Sequence, residues 1–453
     1  MNELRPGRRP IDRGVLALMA IFLVVFPFLF KPWVHGFDTV AYTAWLRSLV
    51  VDGDLEVGDE FAHYGYGHER GKTDTGYTVN EWAVGSAVLW LPFYLAAHLL
   101  VQLANVLGRA LPADGYSPPY VWAISLGSAL YGLGAVALTY RVACQLFPLR
   151  PALLALVTVW LSSPLVFYMY SHPAMSHACD AFAYALLLFV WYHTRRRSGW
   201  QAAALRGAAA GLCALVRQLN AVFVLFLLGE LLFELVRTRC AGQLYRVKWK
   251  PWLARVMALC LTWWLALLPQ MIVWRIVFGQ WIMLNPYRHG VGLGFDWLRP
   301  HVLEVLFSTD RGLFLWSPVL ALGALGAWWL WKRDRRLTGL LLTNFALQLY
   351  VVATWGAYSG AAAFGARFFT NMMPAFGLGL ATLLERAGRR VGWRWLTATG
   401  LFFILWNAIL LIRYAVGDVP RMGPVPLAEL IGGQFGALIR YADRVLELLL
   451  RRG

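Results

Sequence analysis

The stretch GVLALMAIFLVVFPFLFKPWVHGFDTVAY, residues 14–42, decides the fold. Its apolar run is long enough to cross a bilayer core of about 30 Å, which takes roughly 20 helical residues. No small-residue cleavage site follows the run, so we predict an uncleaved first membrane span. The run is preceded by Arg5, Arg8, Arg9 and Arg13. These arginines place the amino terminus on the inner side of the membrane.

The composition extends this pattern to the whole chain. Hydrophobic residues make up 59% of the 453 residues and charged residues 14%, against roughly 45–50% and about 25% in soluble domains. The net charge is +17, and its basic residues gather beside apolar runs, as in Arg195–Arg197 and Lys332–Arg336. The positive-inside rule accounts for this distribution, which argues against a nucleic-acid-binding protein. The five cysteines show no paired spacing that would indicate disulfides or a zinc site.

We therefore predict an all-α polytopic membrane protein with about 11 transmembrane helices. Residues 83–107 are also apolar, but a span there would move Arg195–Arg197 and every later basic cluster to the outer side. We predict a membrane-surface or re-entrant helix for that stretch instead. The predicted spans are, approximately, residues 14–34, 120–140, 151–169, 176–194, 203–217, 218–236, 252–276, 312–331, 337–355, 368–384 and 393–413. The two short spans around Arg217 are predicted to form a broken or tilted pair.

Two regions lie outside these spans. Residues 35–119 form a polar, aromatic first outer loop with juxtamembrane helices. Residues 414–453 form an outer carboxy-terminal segment, where Leu427, Leu430 and Ile431 indicate an amphipathic helix on the membrane surface. Residues 1–413 are then a single transmembrane domain, and 414–453 are an extracytoplasmic amphipathic segment.

On this topology, the polar side chains that can carry chemistry gather on the outer side. An ionised group in hydrocarbon costs a few kcal/mol, so those near span ends are predicted to face a shared water-filled cavity. Carboxylates among arginines suit a reaction in which a base deprotonates a hydroxyl while cations stabilise a departing phosphate. The candidates are Asp38, Asp54, Glu60, Asn80, Glu81, His172, His177, Arg217, Asn220, Tyr287, Arg288, His289, Arg311 and Arg367.

The acidic and histidine candidates also have structural interpretations. Asp38 suits a catalytic base and also the cap of a helix over residues 39–50, and the two roles are compatible. The alternating carboxylates of residues 52, 54 and 56 suit a divalent cation or a solvated turn. His172 and His177 suit metal or sugar binding, or else helix capping and packing.

The arginine candidates have similar alternatives. Arg217 interrupts an apolar stretch, so it needs a phosphate or a carboxylate partner. Arg367 follows Gly365 and Ala366, which leave space beside its guanidinium for a bulky ligand. The alternative for Arg367 is snorkelling to the interface.

Several short stretches, taken in order along the chain, resemble the GT-C class of membrane glycosyltransferases. They are Asp38 after the first span, NEWAVG at 80–85, LWLPF at 89–93, RQLN at 217–220, the stretch 306–318 and FGAR at 364–367. The resemblance covers most of residues 14–390. It is strongest to bacterial enzymes that use polyprenyl-phosphate sugars, akin to protein O-mannosyltransferases and lipid A aminoarabinose transferases.

This resemblance implies an inverting hexosyl- or pentosyltransferase of the bacterial inner membrane with an extracytoplasmic active site. It implies a polyprenyl-phosphate-linked sugar donor and a lipid, glycan or protein acceptor. It places the catalytic base at Asp38 and the donor phosphate at Arg217 and Arg367, with Arg288 and Arg311 as weaker matches. The chain has Glu81-Trp82-Ala83 where relatives often have a Lys or Arg with Tyr-Pro, so Glu81 is predicted to contact the acceptor or a metal ion.

The remaining candidates are assigned to sugar or acceptor binding. No cofactor is firmly indicated, although a divalent cation remains open. A transporter or flippase of a lipid-linked sugar and a diphosphate-carrier-dependent glycan polymerase or ligase are the alternative functions. The residues assigned to sugar or acceptor binding are Asp54, Glu60, Asn80, Glu81, His172, His177, Asn220, Tyr287 and His289.

Overall fold

The structure, a computed structural model, describes residues 12–240, 249–290 and 292–450. Arg5, Arg8 and Arg9, on which the predicted orientation of the first span depends, lie outside these residues. The described residues form a helical bundle, which confirms the predicted all-α class. Its helices are α1 (Arg13–Leu29), α2 (Phe37–Arg47), α3 (Gly58–His63), α4 (Gly85–Val106), α5 (Pro118–Ala143), α6 (Leu149–Leu161), α7 (Pro164–Val166), α8 (His177–Thr194), α9 (Trp200–Val216), α10 (Val224–Cys240), α11 (Trp249–Phe278), α12 (Val302–Phe307), α13 (Leu313–Trp316), α14 (Pro318–Arg333), α15 (Arg335–Thr354), α16 (Met373–Gly388), α17 (Trp393–Ala415) and α18 (Leu427–Leu450).

The helix ends gather at two opposite faces of the bundle. At the basic face, where α1, α6, α9, α15 and α17 begin, Arg195 pairs with Asp334 at 2.6 Å. The start of α1 is joined there to the end of α5, because the Tyr140 hydroxyl donates to Asp12 Oδ1 at 2.9 Å. The opposite end, which we call the polar face, carries α2, α3, α12 and α18. The division matches the separation of basic and chemically active residues in the sequence.

Within the described residues, six helices are long and apolar enough to cross a membrane: α4, α5, Gln218–Arg237, α11, α15 and α17. The pair Leu149–Leu161 and Pro164–Ser171 makes a seventh if it is counted as one span. The chain is therefore a multi-pass membrane protein. The predicted total of about 11 spans stays a prediction.

Three predicted spans contain an interruption of the α-helix. The segment 151–169 bends by 64° between its two halves, where Pro164 starts a new helix. The segment 312–331 becomes a long helix only at Pro318, after the short α13. The segment 368–384 begins as a 3-10 helix over Arg367–Met372. The predicted break at Arg217 is present, since this residue has extended backbone (φ −146°, ψ 116°) between α9 and a 3-10 turn.

Helix α4 contains the apolar stretch predicted to be re-entrant. Trp90 Nε1 donates to Ser128 Oγ at 2.8 Å, and His98 Nδ1 lies 2.8 Å from the Tyr120 hydroxyl, so α4 runs antiparallel to α5 toward the polar face. At its other end, Gly85 touches the backbone of Leu215, just before the break at Arg217. The helix thus rises from within the bundle to the polar face, which favours the re-entrant interpretation over a full crossing.

Helix α18 occupies the position of the predicted amphipathic segment. Leu430 is buried, whereas Leu427 and Ile431 are exposed. Gly433 lies directly against the guanidinium of Arg413, where a larger residue would clash. Arg413 also donates to Asp418 Oδ2 at 2.6 Å and to the Glu429 carbonyl at 3.1 Å. These contacts tie the segment after residue 413 to the end of α17.

Candidate functional site

A cavity of about 650 Å³ opens at the polar face, where α1 ends and α2 begins. Its lining includes apolar residues, among them Phe28 and Leu29 of α1 and Leu411 of α17. It also includes titratable groups. These groups are Lys31, His35, Asp38, His172, Arg367 and Arg421. An amphiphile with an apolar tail and an anionic head would find both apolar and cationic contacts in this lining.

Asp38 and Arg367 meet directly in this cavity. Asp38 Oδ2 accepts from Arg367 Nη1 at 2.7 Å, and the two side chains are 28% and 14% exposed. The capping interpretation of Asp38 is wrong, because the N-cap of α2 is Gly36, with φ 91°, and no side chain caps this helix. The carboxylate is thus turned toward the cavity.

Arg367 has donors to spare. A guanidinium has five N–H donors, and among the described residues Arg367 donates one hydrogen bond, to Asp38, while its buried Nε has no partner. The expected space beside it exists, but it is Gly360 that adjoins the Arg367 side chain, whereas Gly365 adjoins Pro164. Arg367 can therefore accept a second anionic partner.

Arg217 belongs to a buried polar cluster next to the cavity. Its Nη1 lies 2.8 Å from His177 Nδ1, and its Nε lies 3.6 Å from Asp180 Oδ2. A guanidinium only donates, so His177 Nδ1 accepts and its proton is on Nε2. Asn220 Nδ2 donates to Asp180 Oδ1 at 2.6 Å. The expected anionic partner of Arg217 is thus the carboxylate of Asp180.

The guanidinium groups of Arg217 and Arg367 both lie over the ring of Phe368. The guanidinium carbons of Arg217 and Arg367 are 4.9 Å and 5.2 Å from its centroid. Each cation is attracted by the ring quadrupole, so the ring holds two like charges close together. Arg367 lines the cavity and Arg217 does not. The structure therefore brings the two predicted phosphate ligands to the same aromatic ring, but only Arg367 reaches the cavity.

His172 is part of the cavity wall. Its ring stacks on Phe167 at 5.4 Å and meets the edge of Trp33 at 5.0 Å. Burial, together with the positive charges of Arg367 and Arg421, lowers the pKa of His172 to about 4. The imidazole is therefore neutral at pH 7 and offers hydrogen bonds rather than charge.

Arg311 does not line the cavity; its hydrogen bonds hold residues that form the cavity wall. Its backbone has φ 62°, and its guanidinium donates to the carbonyls of Ala363 (3.0 Å), Pro420 (2.8 Å) and Gly423 (2.7 Å) and to Asp310. These bonds hold the two turns that contribute Ala362 and Arg421 to the cavity. Because its donors are engaged, the structure gives no support to Arg311 as a phosphate ligand.

Asn80 and Glu81 make contacts within the first outer loop. Asn80 Nδ2 donates to the Ala41 carbonyl at 2.9 Å. Glu81 is paired with Arg70, and both side chains are buried. The Arg70 guanidinium lies between Phe37, Phe61 and Trp82, at 5.0, 5.0 and 5.7 Å from their rings. The unusual Glu81 of this chain therefore has a basic partner within the same loop.

The segment around Tyr287 lies beside that loop. The Tyr287 ring meets the edges of Trp82 at 6.1 Å and Trp355 at 4.9 Å. Arg288 and His289 follow in exposed positions. None of the three lines the cavity with Asp38.

The acidic residues of the first outer loop form a separate ion-pair cluster. Asp54 Oδ1 accepts from Ser48 Oγ at 2.8 Å and from the Glu56 amide at 3.0 Å, as expected for a turn. Ligand oxygens within 4.8 Å of one another come from Asp52, Asp59 and Glu60 rather than from the alternating set.

Arg47 Nη1 donates to all three of these carboxylates. Burial, together with the hydrogen bond and the charge of Asp59, raises the pKa of Glu60 to about 9. A guanidinium that already supplies the positive charge, with a neutral Glu60, does not suit a divalent cation. Arg47 lies nine residues beyond Asp38 in α2, or about 14 Å along the helix.

The sequence did not single out several residues that the structure adds. Lys31 and Arg421 bring two more cations to the cavity. The Tyr168 hydroxyl accepts from the Phe364 amide at 3.2 Å and so positions the segment before Arg367. Tyr42 is fully buried beside Asp38, Arg217 and Arg367, and burial raises its pKa. Lys31 could have been found from the sequence, because it is a cation two residues past the end of α1.

The comparisons with known proteins bear on the fold. No family model and no curated protein sequence matches this chain. Its structure is similar to that of ArnT from Cupriavidus metallidurans bound to undecaprenyl phosphate, with a TM-score of 0.53, 16% identity, and coverage of 98% of this chain and 73% of that chain. This similarity confirms the predicted GT-C fold.

Two further structures are less similar. The oligosaccharyltransferase AglB from Archaeoglobus fulgidus, in complex with an inhibitory peptide and a dolichol-phosphate, has a TM-score of 0.47 and 12% identity, over 91% of this chain and 56% of that chain. The arabinosyltransferase EmbB from Mycobacterium smegmatis has a TM-score of 0.42 and 13% identity, over 100% of this chain and 39% of that chain.

Proposed function

We propose that this chain is an inverting membrane glycosyltransferase that moves a monosaccharide from a polyprenyl-phosphate carrier to an acceptor hydroxyl at the polar face. The observation that carries the proposal is the Asp38–Arg367 pair at 2.7 Å in a cavity that also has apolar lining residues. A base and a phosphate-binding cation adjoin each other there, next to a surface that suits a prenyl chain. The same fold in ArnT, whose structure holds undecaprenyl phosphate, supports this choice of donor.

The cavity offers the donor two kinds of contact. The first isoprene units pack against Phe28 and Leu29, near the end of α1. The phosphate lies against Arg367, with Lys31 and Arg421 as further cations. Arginine suits this role because its planar donors match phosphate oxygens in pairs.

The transfer step requires a proton acceptor and a stabilised leaving group. The acceptor oxygen attacks the anomeric carbon, the bond from that carbon to the phosphate oxygen breaks, and polyprenyl phosphate leaves with the bonding electrons. Asp38 takes the hydroxyl proton as the new glycosidic bond forms. Arg367 stabilises the charge that develops on the phosphate. Attack from the side opposite the leaving group inverts the anomeric centre.

The ion pair itself regulates access to Arg367. With no donor bound, Asp38 occupies one of its donors. A phosphate that binds to the free edge of the guanidinium draws it away from the carboxylate, and Asp38 then becomes available to the acceptor. In this proposal Arg217 acts from behind Phe368, where it fixes the ring and adds positive potential.

The test uses purified protein in lipid nanodiscs. Undecaprenyl phosphate alone should bind to the wild type and should bind at least about tenfold more weakly to Arg367→Ala, because one charge-assisted contact is worth about 1.5–3 kcal/mol. A panel of polyprenyl-phosphate monosaccharides should then yield free polyprenyl phosphate and a new glycosidic bond.

Glu304→Gln is the matched control, since Glu304 is an exposed carboxylate on α12 at the same face. Equal binding of undecaprenyl phosphate to the wild type and Arg367→Ala would contradict the proposed donor site. Movement of a donor across sealed vesicles without a new glycosidic bond would instead indicate a transporter.

A further inference from the structure

A second large opening lies at the basic face, far from the cavity of Asp38. It is a groove of about 960 Å³ between α1, α6 and α17. Its floor and walls are apolar and include Ile21, Leu154, Val157 and Leu401. Since α17 is a candidate membrane span, this wall faces lipid.

The basic end of the groove carries two arginines, Arg150 and Arg394. Both are exposed, and within residues 12–240, 249–290 and 292–450 neither has an ion pair or a side-chain hydrogen bond. Some arginines on this face are paired, as Arg195 is with Asp334 and Arg333 with Glu385, whereas others, such as Arg389 and Arg390, have no ion pair within the described residues. Two unpaired cations at the mouth of an apolar groove complement an anionic head on an acyl tail.

The helices that hold these arginines strengthen the positive potential. Arg150 is the second residue of α6 and Arg394 the second residue of α17. Neither helix has a side-chain cap or an acidic residue in its first turn. A cation near a helix N-terminus is unfavourable by itself, because the helix dipole is positive there. An anion between the two helix ends would relieve this repulsion and accept from their free amides.

We propose that this groove binds one anionic phospholipid from the leaflet at the basic face. Its phosphate lies between Arg150 and Arg394, and an acyl chain follows the apolar floor of α6. The site is separate from the proposed donor cavity, which lies at the opposite ends of α1 and α17. Basic pockets between membrane helices are known to hold anionic lipid head groups. The positive-inside rule explains why basic residues lie on this face, but not why two of them flank a groove.

The test is native mass spectrometry of the whole protein in mixtures of phosphatidylglycerol and phosphatidylethanolamine. The wild type should retain one phosphatidylglycerol in preference to the zwitterionic lipid. Arg150→Gln/Arg394→Gln should reduce that preference roughly 10- to 30-fold, at about fivefold for each charge near an anionic lipid. Arg389→Gln/Arg390→Gln, which removes two exposed charges from the loop before α17, is the matched control and should keep the preference.

A photo-crosslinking residue at Leu401 locates the lipid. It should label phosphatidylglycerol in the wild type and lose that label in Arg150→Gln/Arg394→Gln. No preference for phosphatidylglycerol, or an equal loss in the control variant, would overturn the proposal. Competition by undecaprenyl phosphate for the crosslink would also overturn it, because the occupant would then be a donor tail. Thermal unfolding of each variant checks that it is folded.

Discussion

Replacement of Asp38 by asparagine should separate donor binding from catalysis. The change keeps the shape of the side chain but removes its charge. A hydrogen bond to a charged group is worth about 1.5–3 kcal/mol. The pair of Asp38 and Arg367 is partly exposed (28% and 14%), so solvent screening reduces its contribution to about 1–2 kcal/mol. Without this competition, and without repulsion between carboxylate and phosphate, undecaprenyl phosphate should bind about 5- to 30-fold more tightly.

The same substitution should slow turnover. A positioned general base contributes about 10²- to 10⁴-fold to a rate, and asparagine accepts no proton at neutral pH. We expect kcat to fall by at least about 100-fold while the affinity for the carrier increases. A residue with only a structural role would not produce opposite effects on binding and rate.

Two measurements on the same preparation test this expectation. Binding of undecaprenyl phosphate is followed by ligand-dependent thermal stabilisation, and single-turnover release of polyprenyl phosphate is followed from a competent sugar donor. Asp38→Glu should recover part of the rate, and Glu304→Gln should change neither quantity. The reasoning is refuted if Asp38→Asn keeps kcat within about threefold of the wild type. It is also refuted if the carrier binds more weakly.

Three further substitutions test residues that surround the site. Arg217→Gln should destabilise the protein by about 3–5 kcal/mol, because it leaves Asp180 buried without its cation. The double variant Arg217→Gln/Asp180→Asn should be more stable than Arg217→Gln alone. If the changes in unfolding free energy of the two single variants simply add in the double variant, this coupling is contradicted. Arg311→Lys should lower the affinity for the donor with little effect on kcat, since lysine cannot bond to the carbonyls of both turns, that of Ala363 and that of Pro420 and Gly423. An effect confined to kcat in single-turnover assays would contradict this prediction. Glu60→Gln should flatten the pH dependence of thermal stability. The pKa of Glu60 is raised to about 9 in the folded state, so the contribution of this group to stability is fully present below about pH 4.5 and is lost as the pH rises to about 9. An unchanged slope in a pH series of melting temperatures would contradict this assignment.

The fold could be predicted from the sequence because lipid imposes simple rules. Apolar runs of about 20 residues and basic clusters on one side are sufficient to indicate a polytopic helical protein. The interruptions were missed at Pro164 and Pro318, since hydropathy alone does not show where a helix restarts. The break at Arg217 was predictable, because a charge inside an apolar stretch needs a special environment.

The site was only partly predictable. Asp38 and Arg367 are 329 positions apart, and the sequence placed them on one side of the membrane without giving their distance. The polar cluster of Arg217 also depends on Asp180 and Asn220, which come from separate helical segments. Partners of this kind are set by how the helices pack.

The arginines show what a sequence cannot distinguish at this site. Arg311 and Arg367 both precede apolar segments, and the family resemblance made each a candidate phosphate ligand. Arg311 donates to three carbonyls and one carboxylate, so a phosphate would have to replace bonds that hold the cavity wall. Arg367 donates to Asp38 and keeps a buried Nε without a partner among the described residues. With one of its five N–H donors engaged, Arg367 can donate to an arriving anion without the loss of bonds that hold the cavity wall. The number of unfilled donors, rather than the positive charge, therefore favours Arg367 as the phosphate ligand.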